Sequence, residues 1–155
     1  MGRMAVLPHA LRPVNEGYVQ RSFGYSDHGR RSYLVIMRKH KTLHVWQRSH
    51  ELALSVLRAT DGSVPPRCWA VFDQLRRAAV SVEANIVEGY ALGSRPQFRR
   101  HLRIALGSAA ETECLIDLAQ EAGYLGGEIA GPLRKSVDAA LALLHGTLRS
   151  PGESS

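Results

Sequence analysis

A line of polar residues runs through RRAAVSVEANIVEGY, the segment that spans residues 76–90. At about 100° per residue, four of these residues fall on one side of a helix: Arg77, Ser81, Asn85 and Glu88. Such a group could catalyse proton transfer, contact a nucleic acid, or supply the hydrogen bonds of a joint between subunits. No nucleophile or base that could act with Asn85 and Glu88 is identifiable. The sequence therefore favours the joint, with a solvated surface as the alternative.

Two valines of the same segment indicate that this helix is covered on more than one side. Its main apolar side comprises Leu75, Ala79, Val82 and Ile86. Val80 and Val87 lie roughly 120° away from that side, where a helix with one buried side rarely carries apolar residues. We therefore predict an oligomer interface on this helix, formed by Arg77, Val80, Ser81, Asn85, Val87 and Glu88. Arg77 is also spaced to pair with Asp73, one helical turn earlier.

Four arginines stand near the start of the next helical segment: Arg95, Arg99, Arg100 and Arg103. Three of them are spaced by four residues, and the same side carries acidic residues further along, at Glu113, Asp117 and Glu121. The helix macrodipole favours the reverse order, with acids first and bases last. We predict that the four arginines bind nucleic-acid phosphates. The alternatives are a neighbouring helix with matched charges, an acid of a partner subunit, and a solvated surface.

The sequence lacks the common motifs of enzymes and metal sites. It has no phosphate-binding glycine loop, dinucleotide fingerprint, zinc-protease motif or nucleophile elbow. His44 and His50 are six residues apart, which does not place them on one helix side for a shared metal. Cys68 and Cys114 have no partner at ligand spacing. We therefore expect no catalytic residue, no metal and no cofactor, and two free thiols in a cytoplasmic protein.

Four helices must position these residues. Apolar residues recur at spacings of three and four over about residues 43–60, 67–90, 94–122 and 128–148. The predicted buried stripe of the first helix includes Leu52, Val56 and Leu57. Short links between the helices predict an all-α fold, an antiparallel up-down four-helix bundle.

Local signals predict where the second and third helices end and begin. Ser94 and Gln97 have the spacing of a capping box, which predicts that the third helix starts at Ser94. Gly89 and Gly93 are expected to bracket the end of the second helix.

The net charge of +6 lies in the N-terminal part of the chain. Residues 1–42 hold eight basic and two acidic residues, whereas residues 43–155 hold twelve of each. We predict a disordered basic extension over residues 1–40, with an early start codon before Met37 as an alternative origin for it. The bundle then spans residues 41–150, and a disordered tail follows over 151–155. No apolar run is long enough to cross a membrane.

Several strings resemble one known family in their order and spacing. These are LHVWQ at 43–47, QLRRAAVS at 74–81, NIVEG at 85–89, FRR at 98–100 and AGYL at 122–125. Together they resemble the four-helix-bundle family encoded by intervening sequences in bacterial 23S rRNA genes. The resemblance covers about residues 41–148.

The resemblance implies a homopentameric bundle. The family is similar to the accessory variability protein of diversity-generating retroelements, a basic pentamer that binds nucleic acid and a reverse transcriptase. RNA or DNA, a reverse transcriptase-like protein and further copies of this chain are therefore the implied partners. Residues and resemblance together predict a non-enzymatic, self-assembling bundle that binds structured RNA or DNA. The alternative is a protein-interaction scaffold without nucleic-acid binding.

Overall fold

Four α-helices dominate the described part of the chain. The computed structural model describes residues 39–62 and 65–150. The helices are α1 (His44–Ala59), α2 (Trp69–Ala91), α3 (Arg95–Glu121) and α4 (Gly127–Arg149), with 3-10 helices at Lys39–Thr42 and Pro66–Cys68. The predicted helices match these bounds to within two residues at each end. Residues 1–38 of the predicted N-terminal extension and the predicted C-terminal tail lie outside the described residues. The last two residues of the predicted extension, Lys39 and His40, instead belong to the first 3-10 helix.

The helices form a closed ring around one core. Each helix packs against its neighbours in the sequence, and α4 completes the ring against α1. The most extensive contact joins α2 to α3. Across the described ranges no strand occurs, and no helix has an apolar stretch long enough to cross a bilayer. The predicted antiparallel up-down four-helix bundle is confirmed.

The core is built from the apolar stripes of all four helices. Its largest fully buried side chains include Leu52, Val56, Leu75, Ile86, Leu102, Ile116 and Leu144. Each such side chain contributes about 1.5–3 kcal/mol by leaving water. One predicted core residue is wrong, because Leu57 is 39% exposed whereas Val45 is buried. Val45, Leu52 and Val56 lie on one side of α1, and Leu57 lies about 100° beyond Val56.

One of the predicted helix-end signals acts differently in the structure, and another is confirmed. Ser94 occupies the N-cap position of α3, but its hydroxyl donates to Oε1 of Gln97 at 2.8 Å and caps no backbone N–H. The predicted capping box is therefore wrong in its hydrogen bonding. Gly93 follows α2 with a φ of 68°, a left-handed conformation that favours glycine.

Gly89 lies just before the end of α2 at Ala91, so it and Gly93 bracket the helix end as predicted. It is buried where α2 meets α3. A Cβ atom at this position would lie 2.6 Å from Cβ of His101 and 3.2 Å from Cα of Phe98. The missing side chain thus allows the two helices to approach closely.

Candidate nucleic-acid interface

The first turns of α3 bring three of the four predicted arginines together. Arg95, Arg99 and Arg103 line one shallow surface depression, together with Pro96. Arg100 lies about 100° round the helix from Arg99 and does not line this depression. The structure therefore gathers three arginines in what we call the arginine depression and places the fourth beside it.

The four arginines differ in their surroundings. Arg99 is half-buried, and its Nη2 donates to the backbone carbonyl oxygen of Leu148 at 2.6 Å. Arg95, Arg100 and Arg103 are exposed. Within the described residues none of the four forms an ion pair. Their positive charges are thus available to an external anion.

The acidic half of α3 has partners on neighbouring helices. Asp117 Oδ1 accepts a hydrogen bond from Nε of Arg134 in α4 at 2.6 Å. Glu111 Oε1 accepts one from Nε2 of Gln74 in α2, also at 2.6 Å. One alternative explanation for the charge pattern of α3 was a neighbouring helix with matched charges. The pairing of Asp117 with Arg134 of α4 is an example of such a match. The arginines of α3 have no such counterion in the part of the chain that the structure describes.

Basic residues are concentrated at one end of the bundle. We call the end where α1 and α3 begin and α2 and α4 end the basic end. It carries Lys39, Lys41, Arg95, Arg99, Arg100, Arg103 and Arg149. The opposite end carries both signs of charge. Its acids in α3 and α4 are Glu111, Glu113, Asp117, Glu121 and Glu128, and its basic residues are Arg58, Arg67, Arg76, Arg77, Arg134 and Lys135. The zero net charge of residues 43–155 therefore conceals an excess of basic residues at one end.

The first turns of α1 and α3 lack the usual source of compensation for positive charge. Neither helix has an acidic residue in its first turn, and neither N-cap makes a side-chain hydrogen bond. The macrodipole places roughly half a positive charge at each helix start. The negative ends of α2 and α4 lie at the same end of the bundle and offset these half charges. It is therefore the cations of the basic end that favour anion binding.

Part of the polar line of α2 faces α3 of the same chain. Ser108 Oγ donates to Ser81 Oγ at 3.0 Å. Asn85 Nδ2 donates to the carbonyl and hydroxyl oxygens of Ser81 at 2.9 and 3.1 Å. This orientation leaves Asn85 Oδ1 as an acceptor, 3.3 Å from Nδ1 of His101. Ser81 and Asn85 therefore join two helices of one chain, and their role between subunits stays a prediction.

The remaining predicted interface residues lie further out on α2. Arg77 pairs with Asp73 at 2.9 Å, which confirms the predicted one-turn contact. Glu88 has a largely exposed side chain, with Oε2 3.6 Å from Nδ1 of His101. Val80 is 39% exposed and Val87 is half-buried. We call the strip of Val80, Ala84, Val87 and Ala91 the outer α2 surface.

Comparison with known proteins places the chain in a family. The family model of the 23S rRNA-intervening sequence protein matches residues 41–146. The chain belongs to this family. No curated protein sequence has a significant match to this chain.

A solved structure supports the fold of this family member. It is the crystal structure of a protein of unknown function from the S23 ribosomal protein family of Bacteroides thetaiotaomicron. The two chains are 24% identical, the match covers 68% of this chain and 96% of the other, and the TM-score is 0.60. At this identity the likeness carries over the four-helix architecture alone.

Metal-ligating and thiol groups are dispersed in this member of the family. In the ranges 39–62 and 65–150, no three histidine, cysteine or acidic side chains come together in a way that could hold a metal ion. Cys68 is buried and Cys114 is exposed, and both are free thiols, as the sequence predicts. Neither thiol lies in the arginine depression.

Two groups that contact the predicted site residues were not found from the sequence. His101 lies between α2 and α3, where Asn85 and Glu88 are its neighbours. The carbonyl oxygen of Leu148 holds Arg99. Both contacts depend on the register of one helix against another, which spacing within a single helix does not give. The concentration of basic residues at one end could have been found by counting the charged residues separately in the two halves of each predicted helix.

Proposed function

We propose that this protein is a non-enzymatic, self-assembling bundle of the cytoplasm that binds structured RNA or DNA through backbone phosphates at its basic end. The observation that carries the proposal is the arginine depression, where Arg95, Arg99 and Arg103 lie together without an acidic partner among the described residues. The family description, which names 23S rRNA, agrees with an RNA-related role.

Phosphate contact suits these residues better than base recognition. Guanidinium groups donate several hydrogen bonds in a planar fork that matches phosphate oxygens. The aromatic residue among the arginines, Phe98, packs against the hydrophobic core. It is therefore a poor platform for stacking on bases. The expected binding is insensitive to sequence and weakens steeply with salt.

A second candidate function is a protein-interaction scaffold. The observation that favours it is the outer α2 surface, where Val80 is 39% exposed beside further small apolar residues. We propose that this surface joins copies of the chain in a ring, with a pentamer as the expected size. A reverse transcriptase-like protein is the proposed protein partner, by likeness to the accessory variability protein.

Fluorescence anisotropy with a labelled RNA hairpin tests the proposed function. The full chain is compared with Arg95→Gln/Arg103→Gln over about 50–200 mM salt. The side chains of these two arginines make no hydrogen bond or ion pair within the described residues, so their replacement should leave the fold unchanged. The matched control is Arg58→Gln/Lys135→Gln, which removes the same charge from exposed positions of α1 and α4 away from the basic end.

The two functions predict different results. For nucleic-acid binding, the arginine variant should bind more weakly, and the slope of log K against log salt should fall in magnitude by about 2. The control should keep the wild-type slope. If wild type and the arginine variant bind equally, or if the wild type does not bind, the phosphate proposal fails and the scaffold is favoured.

A further inference from the structure

A short turn at the basic end carries two lysines. The 3-10 helix Lys39–Thr42 precedes α1 and lies at the basic end. Thr42 Oγ1 donates to the carbonyl oxygen of Lys39 at 2.8 Å. Gln47 Nε2 donates to the carbonyl oxygen of Lys41 at 3.0 Å. The backbone of this turn is therefore tied at both lysines.

Aromatic contacts connect the turn to the start of α3. The ring of His40 lies between the two lysines in sequence, 5.1 Å from Trp46 and 6.4 Å from Tyr90, centroid to centroid. Tyr90 in turn lies 6.4 Å from Phe98. Phe98 directly precedes Arg99 in α3. One chain of rings thus runs from the turn to the first turn of α3.

The lysine side chains have no competing role in the described structure. Both are exposed, and neither forms an ion pair with a described residue. They also precede the positive start of α1, whose first turn contains no acid. Cations at this position are disfavoured by the macrodipole unless an anion joins them. Lys39 and Lys41 therefore stand in the same electrostatic situation as the arginines of α3.

We propose that Lys39 and Lys41 form a second phosphate contact, so that the basic end binds a ligand with several separated phosphates. This inference rests on the proposed function and specifies its ligand. Helices that pack about 8–10 Å apart put the starts of α1 and α3 on the order of 10–14 Å from each other, across the bundle end. A nucleic-acid duplex can supply phosphates at that separation, whereas a single phosphate or mononucleotide cannot reach both.

The test uses the full chain and the labelled RNA hairpin. Lys39→Gln/Lys41→Gln is compared with wild type, with Arg95→Gln/Arg103→Gln and with the control Arg58→Gln/Lys135→Gln. The lysine variant should bind more weakly and reduce the salt slope by about 2, as the arginine variant does. Lys39→Arg/Lys41→Arg should bind as tightly as the wild type, since it keeps both positive charges.

The outcomes separate this inference from the proposed function. If only the arginine variant weakens binding, the function stands and the lysine contact is overturned. If neither variant differs from the control, both proposals fail. Competition supplies the second criterion. Inorganic phosphate and a mononucleotide should displace the hairpin no better than chloride at equal ionic strength, whereas unlabelled duplex should displace it fully. Displacement by the mononucleotide at concentrations comparable to duplex phosphate would overturn the two-contact ligand.

Discussion

Arg99 Nη2 lies 2.6 Å from the backbone carbonyl oxygen of Leu148, so the start of α3 is bonded to the end of α4. The last carbonyl groups of a helix have no partner within the helix, and a positive side chain there is favourable to the macrodipole. A second arginine acts in the same way at the opposite end, where Arg76 Nη2 donates to the carbonyl oxygen of Thr60 after α1. At each end of the bundle, an arginine side chain thus donates a hydrogen bond to a carbonyl oxygen at the end of a helix.

Removal of the first contact should destabilise the bundle. We expect Arg99→Ala to lower the free energy of unfolding by about 1–2 kcal/mol, since it removes a charge-assisted hydrogen bond to a half-buried carbonyl. Arg103→Ala, which removes an exposed arginine of the same helix, should change it by less than about 0.5 kcal/mol. Urea unfolding followed by circular dichroism measures both. Equal stability of the two variants would show that the Leu148 contact contributes nothing.

Gly89 should tolerate no side chain. A Cβ atom there would meet Cβ of His101 at 2.6 Å and the backbone of Phe98 at 3.2 Å, so α3 must shift. We expect Gly89→Ala to destabilise the bundle by about 1–3 kcal/mol through overpacking. Gly107 is the matched control, because a Cβ added there meets nothing within 4 Å. Gly107→Ala should raise stability by up to about 1 kcal/mol through helix propensity.

Thermal unfolding of these two glycine variants gives a sign test. The melting temperature should fall for Gly89→Ala and rise or stay unchanged for Gly107→Ala. A fall of equal size in both variants would show that the α2–α3 approach is not limited by residue 89.

The sequence predicted the helices well and the contacts between them less well. The stripe of α2 was predicted because residues such as Leu75 and Ile86 follow the helical period closely. Leu57 was misassigned because an apolar residue next to a buried one, Val56, can face outward at little cost. The Ser81–Ser108 bond could not be predicted, since it depends on how far α2 and α3 slide past each other. The close packing at Gly89 could not be predicted, because close helix packing and a helix end both favour glycine.

The polar seam between α2 and α3 should stabilise each chain. Asn85→Ala removes both bonds to Ser81 and the acceptor near His101. We expect a loss of about 0.5–1.5 kcal/mol, because half-buried hydrogen bonds are removed while Ser81 keeps its bond from Ser108. Gln74→Ala serves as the control, since its bonds to Glu111 and Arg77 are exposed and should contribute less than about 0.5 kcal/mol. Unfolding free energies from urea titration decide the comparison, and equal losses would contradict the assignment.

Two alanine variants on α2 test the predicted joint between subunits. We expect Asn85→Ala and Arg77→Ala to weaken assembly as well. A variant that keeps both its oligomeric mass and its melting temperature would remove that residue from the predicted interface.

The outer α2 surface should be the main site of self-assembly. We expect Val80→Lys to reduce the oligomer to smaller species, because burial of an unpaired ammonium group against apolar neighbours is costly. Leu57 is a matched control on α1, since it is equally exposed at 39%. Leu57→Lys should keep the wild-type mass. Light scattering coupled to size-exclusion chromatography measures the masses, and circular dichroism checks that both variants are folded. A monomeric wild type, or an unchanged mass for Val80→Lys, would show that copies of the chain do not join through this surface.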